Sequence, residues 1–264
     1  MFLSHTGMAK LNTTRMNGTG GFDATTCKEL FEVEDRHFWY VGRKSIISDA
    51  LKRNVTHLDR ARMLEIGCGN GNVMAYLKQN GVESIEGGDL SASGLEYCRQ
   101  RMGDVPLHQI DVLSLPFHNE FDLIGAFDLL EHVENDEKAL TEIRRALKMR
   151  GNIVLTVPMH KCLWSHFDET AGHKRRYSKS EIITKLERNG FVVKSSSFFM
   201  FFLLPVLSLV RITHRHSKAP ELKVIPIVNS MFLWLLTIEK WLMRYINLPI
   251  GSSLLIVAQK EETL

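Results

Sequence analysis

Residues 64–72 read LEIGCGNGN, so an apolar run leads directly into three glycines at alternating positions. Glycine reaches positive φ without strain and lets the backbone come close to a ligand. An apolar strand that enters such a turn and continues as a helix is typical of the first β-α-β unit of an open α/β sheet. A dinucleotide-binding turn would have its third glycine at position 72, where this chain has Asn72. The segment therefore predicts an α/β fold and disfavours a nicotinamide oxidoreductase.

Short apolar runs alternate with segments of helical periodicity from Arg62 onward. This alternation predicts parallel strands that are connected by helices. We place the strands at residues 62–66, 84–88, 105–109, 121–127, 151–157, 191–197 and 252–259. The expected fold is α/β, a doubly wound Rossmann-like sheet of seven strands.

Helices are expected between these strands and before the first of them. The helical segments are residues 29–54, 72–79, 93–101, 134–149 and 180–189. Ser180 is the expected N-cap of the last of these helices, and Gly190 follows its end. The helices at 72–79 and 93–101 each follow a strand, as a doubly wound fold requires.

Composition limits the classes of function that remain. The 264-residue chain is 44% hydrophobic and 24% charged, which suits one large globular domain and excludes a disordered or disulfide-scaffold protein. Its net charge of +3 is too small to make nucleic acid the expected partner. The four cysteines include no C-x-x-C pair, so we expect reduced thiols and no zinc site.

We divide the chain into four parts. They are a leader (1–28), a core with an N-terminal helix (29–197), a helical insertion (198–250) and a last strand that returns to the core (251–264). The leader lacks the continuous apolar stretch of a signal peptide, so we predict a cytoplasmic protein. Whether the leader is ordered, and the oligomeric state, are left open.

Asp89 stands some twenty residues after the glycine turn, at the end of the second predicted strand. A carboxylate in that place can accept hydrogen bonds from both hydroxyl groups of a ribose. The turn and Asp89 together predict a ligand that contains a nucleoside. The competing interpretation is that the turn only packs and binds nothing.

At this point the chain resembles the class I S-adenosylmethionine-dependent methyltransferases, whose first motif is an acidic residue followed by G-x-G-x-G. The run that includes Leu115-Pro116-Phe117 and Leu130-Glu131-His132-Val133 is similar to that of the ubiquinone-biosynthesis O-methyltransferases. The resemblance implies that S-adenosylmethionine is the cofactor. The cofactor-binding residues that it implies are Arg43, Glu65, Gly67, Gly69, Gly71, Asp89, Leu90, Asp111, Val112 and Phe127. Arg43 would bind the methionine carboxylate or form a surface salt bridge, and Phe127 would contact the cofactor or lie in the core.

The same resemblance raises a metal hypothesis. In the ubiquinone O-methyltransferases the positions that match Asp128, Glu131 and His132 hold Mg²⁺, but the shorter Asp128 replaces a glutamate there. Such triplets often only cap helices, so a metal is the less favoured interpretation. His132 is also a candidate base, although a structural hydrogen bond to backbone is favoured for it.

The loop after the fifth strand contains the most distinctive local sequence. It should rise at the carboxyl edge of the sheet, where open α/β folds bind ligands. Arg175 and Arg176 could bind an anionic group of the acceptor, and His166 or His173 could serve as the base. Trp164 and Tyr177 complete the set of candidate acceptor-binding residues. The alternative is that salt bridges from Asp168 to the arginines only fix the loop.

The insertion begins with an almost wholly apolar stretch, residues 198–210, that Pro205 interrupts and that is too short to span a bilayer. Arg211, His214, Arg215, His216 and Lys218 follow it, and residues 231–246 then mix aromatic, aliphatic and charged side chains. We expect an amphipathic helix pair. It either forms a second apolar layer over the sheet or makes peripheral contact with the inner face of a membrane through residues 198–246.

Together these features predict a methyltransferase that uses S-adenosylmethionine to methylate a small-molecule or lipid-linked acceptor, with oxygen favoured as the acceptor atom. The stretch after the fourth strand is Asp128-Leu129-Leu130-Glu131, which differs from the Asn-Pro-Pro-Tyr of base N-methyltransferases and argues against nucleic acid. A rival class is a non-catalytic cofactor-binding adaptor at a membrane or partner surface. A nicotinamide oxidoreductase is less favoured still.

Overall fold

The structure is a computed structural model, and it describes residues 23–213 and 225–261. These residues form one seven-stranded sheet with the order β3-β2-β1-β4-β5-β7-β6. The strands are β1 (Arg62–Ile66), β2 (Ser84–Asp89), β3 (Leu107–Gln109), β4 (Phe121–Phe127), β5 (Leu147–Pro158), β6 (Phe191–Phe199) and β7 (Ser253–Lys260).

The described residues also form nine α-helices. They are α1 (Ala24–Val33), α2 (Phe38–Asn54), α3 (Asn72–Gln79), α4 (Ala92–Met102), α5 (Asp136–Ala146), α6 (His166–Thr170), α7 (Lys179–Arg188), α8 (Leu204–Thr213) and α9 (Pro226–Leu242). The core lies on both faces of β1, β4, β5 and β7, whose side chains are almost all buried. Strands buried on both faces read as continuous apolar runs, which is why the sequence located them.

The predicted fold class is confirmed, and one strand direction is corrected. β7 pairs antiparallel with both β5 and β6, so the sheet is mixed, where the alternation of elements had predicted parallel strands throughout. Apolar runs locate strands but do not give their direction. The switch between the two halves of the sheet lies between β1 and β4, so the carboxyl ends of these strands form the crevice where open sheets bind ligands.

The N-terminal boundary also differs from the predicted leader. Helix α1 begins at Ala24 because the Asp23 side chain accepts a hydrogen bond from the backbone N–H of Thr26 at 2.7 Å. Cys27 is buried, so the folded chain begins before residue 29. The single helix predicted at 29–54 is two helices, since His37 caps α2. Residues 1–22 of the predicted leader lie outside the described residues.

Two helix boundaries inside the core are corrected as well. Helix α5 ends at Ala146 because Leu147 already pairs with Phe121 as the first residue of β5, so the predicted extension to Met149 is wrong. The Ser178 side chain caps α7 by accepting from the backbone N–H of Glu181, two residues before the predicted cap at Ser180.

The two helices of the insertion pack in different places, α9 against α2 and α8 against the loop after β5. Helix α9 approaches α2 so closely that a Cβ on Gly42 would lie 2.3 Å from Leu236 Cδ1. Arg244, just after α9, forms an ion pair with Asp49 of α2. Helix α8 has Pro205 in its first turn, where proline is tolerated, and His214, Arg215, His216 and Lys218 lie outside the described residues. None of the described helices combines the length and the hydrophobicity that a bilayer crossing needs.

Candidate active site

A cavity of about 500 Å³ lies at the carboxyl ends of β1, β2, β4 and β5. One end of it, the glycine end, is formed by Glu65, Gly67, Gly69 and Asp89. The other, the histidine end, is formed by Glu131, His132 and His173. Helices α1 and α2 line it from one side, and α6 and α8 line it from the other. The predicted cofactor turn and part of the predicted acceptor loop therefore meet in one space.

The three glycines of the turn have different roles. All three have positive φ, but a Cβ on Gly71 would lie 2.6 Å from Cys98 Sγ, so this glycine is needed for packing of α3 against α4. A Cβ on Gly69, in contrast, would meet nothing within 4 Å among the described residues. Gly69 thus leaves the backbone bare beside the cavity, as close approach of a ligand requires.

Asp89 at the end of β2 is fixed by the turn itself. Its two carboxylate oxygens accept hydrogen bonds from the backbone N–H groups of Gly69 and Ser91, each at 2.8 Å. Burial raises the pKa of Asp89, and these backbone hydrogen bonds partly oppose that rise. Because each carboxylate oxygen has two lone pairs, Asp89 can still accept from ligand hydroxyl groups.

Glu65 is the second carboxyl group of the glycine end. Its side chain is buried, and its Oε2 atom has no hydrogen-bond partner within the described residues. Burial raises the pKa of Glu65 well above its ordinary value, and the nearby Arg43 charge opposes that rise. A buried polar atom without a partner is costly, so a ligand that donates a hydrogen bond here would stabilise the protein.

Three further lining residues share this property. In the described part of the chain, Asn70 Oδ1, Glu131 Oε2 and Ser252 Oγ are also buried without hydrogen-bond partners, and all three residues line the same cavity. Such atoms concentrate where a ligand supplies the missing partners. These unpartnered oxygen atoms can accept hydrogen bonds, so they fit a polar nucleoside-containing cofactor of the kind that the resemblance implies.

Arg43 lies between the two ends of the cavity. Its guanidinium forms an ion pair with Asp128, the residue after β4, at 2.6 Å. Asp128 has a positive φ of 52° and also accepts a hydrogen bond from Thr156 Oγ1 at 2.8 Å. Arg43 therefore lines the cavity and forms a salt bridge there, and its binding of the methionine carboxylate stays a prediction. Phe127 lines the same part of the cavity and is buried.

Asp168 organises the histidine end. It is fully buried and accepts hydrogen bonds from His173 Nδ1 at 3.0 Å, from Arg176 Nε at 2.9 Å and from Arg211 of α8 at 2.6 Å. Burial opposes ionisation of Asp168, but the hydrogen bond from His173 and the charge of Arg176 outweigh it and hold the pKa of Asp168 below its ordinary range. The carboxylate therefore orients the His173 ring.

Glu131, His132 and His173 come together, whereas the predicted metal ligands were Asp128, Glu131 and His132. Among the described residues, the possible ligand atoms of the first three lie within 4.8 Å of one another, and Asp128 is not in that group. Mg²⁺ prefers oxygen ligands, and two of these three side chains are imidazoles, so the cluster does not fit Mg²⁺. Burial lowers the pKa of His132 to about 4, so its ring is neutral near neutral pH.

Several predicted site residues lie outside the lining of this cavity. Leu90, Asp111 and Val112 follow β2 and β3 at the same edge of the sheet, but they do not line the cavity. Gly71 does not line the cavity either, since it packs against Cys98 of α4. His166 and Trp164 hydrogen-bond to Glu169 on the loop surface, and Arg175 bonds to Glu134 and Asp136. Tyr177 is fully buried and donates to Asp136.

Arg176 decides between the two interpretations of the loop. It is buried, it pairs with Asp168 at 2.8 Å and it donates to the backbone oxygen of Met159. Arg176 lines the cavity, but its donors bind the protein itself. Salt bridges from Asp168 and Asp136 therefore fix this loop. Arg175 and Arg176 thus have the structural role of the second interpretation, and they do not offer free donors to an anionic group of the acceptor.

Two groups of lining residues were missed by sequence reasoning. Cys27 lies in α1 and Glu34 directly follows that helix, and Arg101 of α4 donates to Glu34 at 2.5 Å. Leu207, Val210 and Arg211 come from α8 of the insertion. No local motif marks these residues. In the sequence, only Arg211 could have indicated this contact, because it is a basic residue that directly follows the apolar stretch 198–210.

Comparison with known proteins locates the best-matched part of the chain. Residues 64–155 match a protein-family model described as a methyltransferase domain. The match begins in β1, just before the glycine turn, and ends in β5. It covers the glycine end, and the loop with His173 and the insertion lie outside it.

Two curated relatives are similar over about half of this chain. The chain is 28% identical to a malonyl-[acyl-carrier protein] O-methyltransferase of Enterobacter lignolyticus over 143 residues, which are 52% of this chain and 56% of that protein. It is 29% identical to a ubiquinone biosynthesis O-methyltransferase of Alkalilimnicola ehrlichii over 136 residues, 49% of this chain and 51% of that protein. The chain thus spans about half the length of these curated relatives.

Solved structures extend the similarity to the whole fold. An S-adenosylmethionine-dependent methyltransferase from Mesorhizobium loti superposes with a TM-score of 0.58 at 16% identity, covering 86% of this chain and 100% of that chain. At that identity the superposition shows a shared fold. The sheet and the helices around it are thus arranged as in that structure.

Proposed function

We propose that this chain, which carries a class I S-adenosylmethionine-dependent methyltransferase domain, transfers a methyl group to a hydroxyl oxygen of a small-molecule or lipid-linked acceptor. The observation that carries the proposal is the single cavity that joins the glycine end to an aspartate-oriented histidine. S-adenosylmethionine supplies a methyl group on a positively charged sulfur atom. The residues of this chain bind the cofactor, orient the acceptor and remove the proton from its hydroxyl group.

The glycine end provides the acceptors that such a cofactor needs. Asp89 would accept from the ribose hydroxyl groups, and the unpartnered Oε2 of Glu65 would accept from a cationic or N–H group. Arg43 would exchange Asp128 for the methionine carboxylate, because one charge-assisted hydrogen bond then replaces another. Gly69 allows the backbone to approach the ligand.

The histidine end supports oxygen as the acceptor atom. Methyl transfer to a hydroxyl group needs a base for its proton, and transfer to a free amine needs none. With Asp168 accepting from His173 Nδ1–H, the Nε2 atom of His173 is left as the proton acceptor. Alignment of acceptor and cofactor in one enclosed space supplies much of the remaining rate enhancement.

The walls beside the histidine end favour an apolar acceptor. Trp39 and Phe167 line the cavity together with Leu207 and Val210 of α8. Pockets lined in this way select apolar ligands and use a few polar groups for orientation. Because the relatives are less than 30% identical and match only about half of the chain, their own acceptors do not define the acceptor of this chain. The proposed class is therefore a hydroxyl compound with an apolar body or tail.

Isothermal titration calorimetry with S-adenosylmethionine, S-adenosylhomocysteine and NADH tests the cofactor half of the proposal. We expect binding of the first two with dissociation constants in the micromolar range, about −8 kcal/mol, and no binding of NADH. Asp89→Ala should weaken binding by about tenfold or more, because a charged hydrogen-bond acceptor is lost. Asp104→Ala removes an exposed carboxylate far from the turn and is the matched control. An unchanged dissociation constant in Asp89→Ala would remove that residue from the site.

A further inference from the structure

Helices α8 and α9 expose large apolar side chains toward solvent. We name this set the α8–α9 apolar face, and it consists of Val206, Leu209, Ile212, Ile227, Met231, Trp234 and Trp241. Leu209 and Trp234 are each 64% exposed, and no residue of α8 is fully buried. Large apolar side chains that are exposed in this number within one insertion mark a binding surface.

The two sides of α8 have different environments. Leu207 and Val210 line the cavity, whereas Val206 and Leu209 face away from it and are exposed. Arg211 fixes the helix by donating to Asp168, the residue that orients His173. Helix α8 is therefore a wall with the cavity on one side and the apolar face on the other.

Phe167 lies where these two sides meet. It lines the cavity and is 39% exposed, so it stands at a mouth of the cavity. The Arg211 guanidinium lies 5.2 Å from its ring, which places this mouth next to α8. An apolar chain that leaves the cavity here would run along the wall that carries the apolar face.

Charge is distributed unevenly between the insertion and the rest of the chain. Residues 198–250 contain six of the 33 lysine and arginine residues but only two of the 30 acidic residues. One of these two, Glu239, is fully buried, where it accepts from the backbone N–H of Phe202. Arg211 and Arg244 pair with Asp168 and Asp49 outside the insertion, so its excess of positive charge comes from the other four lysine and arginine residues.

We propose that the α8–α9 apolar face seats this protein on an anionic phospholipid bilayer, so that the acceptor's apolar tail enters the cavity from the bilayer past Phe167. Apolar helices with tryptophan and basic residues bind in the bilayer interface through burial of apolar area and attraction to anionic lipids. A second copy of the chain is a poorer occupant, because a symmetric dimer would bring two positively charged insertions together. The bilayer contact stands without the proposed function, whereas the entry route rests on it.

Vesicle sedimentation tests the contact with the full chain. We expect the protein to sediment with phosphatidylcholine vesicles that contain phosphatidylglycerol, to sediment far less with pure phosphatidylcholine, and to be released by high salt. The double variant Leu209→Glu/Trp234→Glu should reduce the bound fraction by about tenfold or more, because it puts charges of the wrong sign into the face. The fluorescence of tryptophan should shift to shorter wavelength on binding.

Methionine provides a matched control pair. Met231 on the face is 50% exposed and Met149 at the far end of β5 is 49% exposed, so Met231→Glu should weaken vesicle binding and Met149→Glu should not. Circular dichroism and S-adenosylmethionine calorimetry of each variant check that the fold and the glycine end are intact.

Three outcomes overturn the inference. Equal loss in the two methionine variants, or no sedimentation at low salt with intact cofactor binding, would do so. A dimer in analytical ultracentrifugation that the double variant dissociates, in a protein that does not bind vesicles, would assign the face to self-association. Failed cofactor binding with intact vesicle binding would count only against the proposed function.

Discussion

The glycine end of the cavity draws its residues from two neighbouring strands and the turn between β1 and α3. The histidine end draws its residues from the short 3-10 helix Leu130–His132 and from the loop after β5, which Arg211 of the inserted helix α8 helps to fix. The hydrogen bond from Gly69 to Asp89 joins residues 20 apart in the chain, and the bond from Arg211 to Asp168 joins residues 43 apart. Elements that are close in the sequence position the glycine end, because backbone N–H groups fix Asp89. The second end depends on side-chain charges that meet only in the folded protein.

This difference has a chemical consequence. Under the proposed function, the glycine end binds the cofactor, which is the same for every reaction of the class, so local geometry suffices there. The histidine end contains a buried carboxylate with two arginines and a histidine, and such networks depend on every member. Changes at the histidine end should therefore affect turnover and stability while leaving the cofactor's affinity largely intact.

Among the changes that separate the two ends of the cavity, replacement of His173, the proposed base, has the largest expected effect. His173→Gln should lower the rate of methyl transfer by about 10²–10⁴-fold, because the proton acceptor is lost, while the S-adenosylmethionine dissociation constant stays unchanged. The rate is measured as S-adenosylhomocysteine formation with 4-alkylphenols of increasing chain length. His166→Gln is the control, since His166 bonds to Glu169 outside the cavity. Equal losses in both variants, or parallel loss of cofactor affinity, would contradict the role of His173.

Removal of the buried charge comes next. Asp168→Asn leaves Arg176 and Arg211 without their shared carboxylate, so the free energy of unfolding in urea should fall by about 3–5 kcal/mol. The neighbouring Glu169 is exposed, and Glu169→Gln should change that free energy by less than about 0.5 kcal/mol. If the two variants unfold at the same urea concentration, the histidine end is not the network that the distances indicate.

Variants at the contact between α2 and α9 test whether packing of the insertion stabilises the fold. Gly42→Ala forces a Cβ against Leu236 and should lower the free energy of unfolding by about 1–3 kcal/mol. Leu236→Ala alone leaves a cavity, and the double variant should be more stable than the sum of the two single effects predicts. Strict additivity in urea unfolding would show that the two helices do not rely on this contact.

The same contrast between near and distant contacts explains what the sequence could predict. β1, β4 and α3 have the predicted bounds, because apolar runs and the glycine turn define them locally. Gly69, Asp89 and Glu65 follow from those elements and line the cavity as expected. The seven-stranded α/β fold was also predictable from the alternation of elements.

The rest of the site and the direction of β7 depend on contacts between distant parts of the chain, which no local sequence pattern indicates. Asp168 could have paired with either loop arginine, and its additional partner Arg211 lies in an insertion whose packing the sequence left open. Similarly, α1 belongs to the site because Arg101 of a distant helix pairs with Glu34. The antiparallel direction of β7 is also a result of topology, since its apolar run would suit either direction.

The smallest expected effect concerns His37, which closes the cavity beside the glycine end. Its Nδ1 atom accepts from the backbone N–H of Trp39 to cap α2, and burial lowers the pKa of His37 to about 4. The unfolded chain takes up a proton as the pH falls through about 6.5, while the folded protein does not, so this contribution to stability is present above that pH and is lost toward the folded pKa. His37→Asn keeps a capping side chain that does not titrate. Between about pH 7.5 and about pH 6, the wild-type protein should therefore lose about 1 kcal/mol more unfolding free energy than the variant does, as measured in urea. Identical pH dependence in the two proteins would mean that His37 titrates normally and that the cap tolerates its charge.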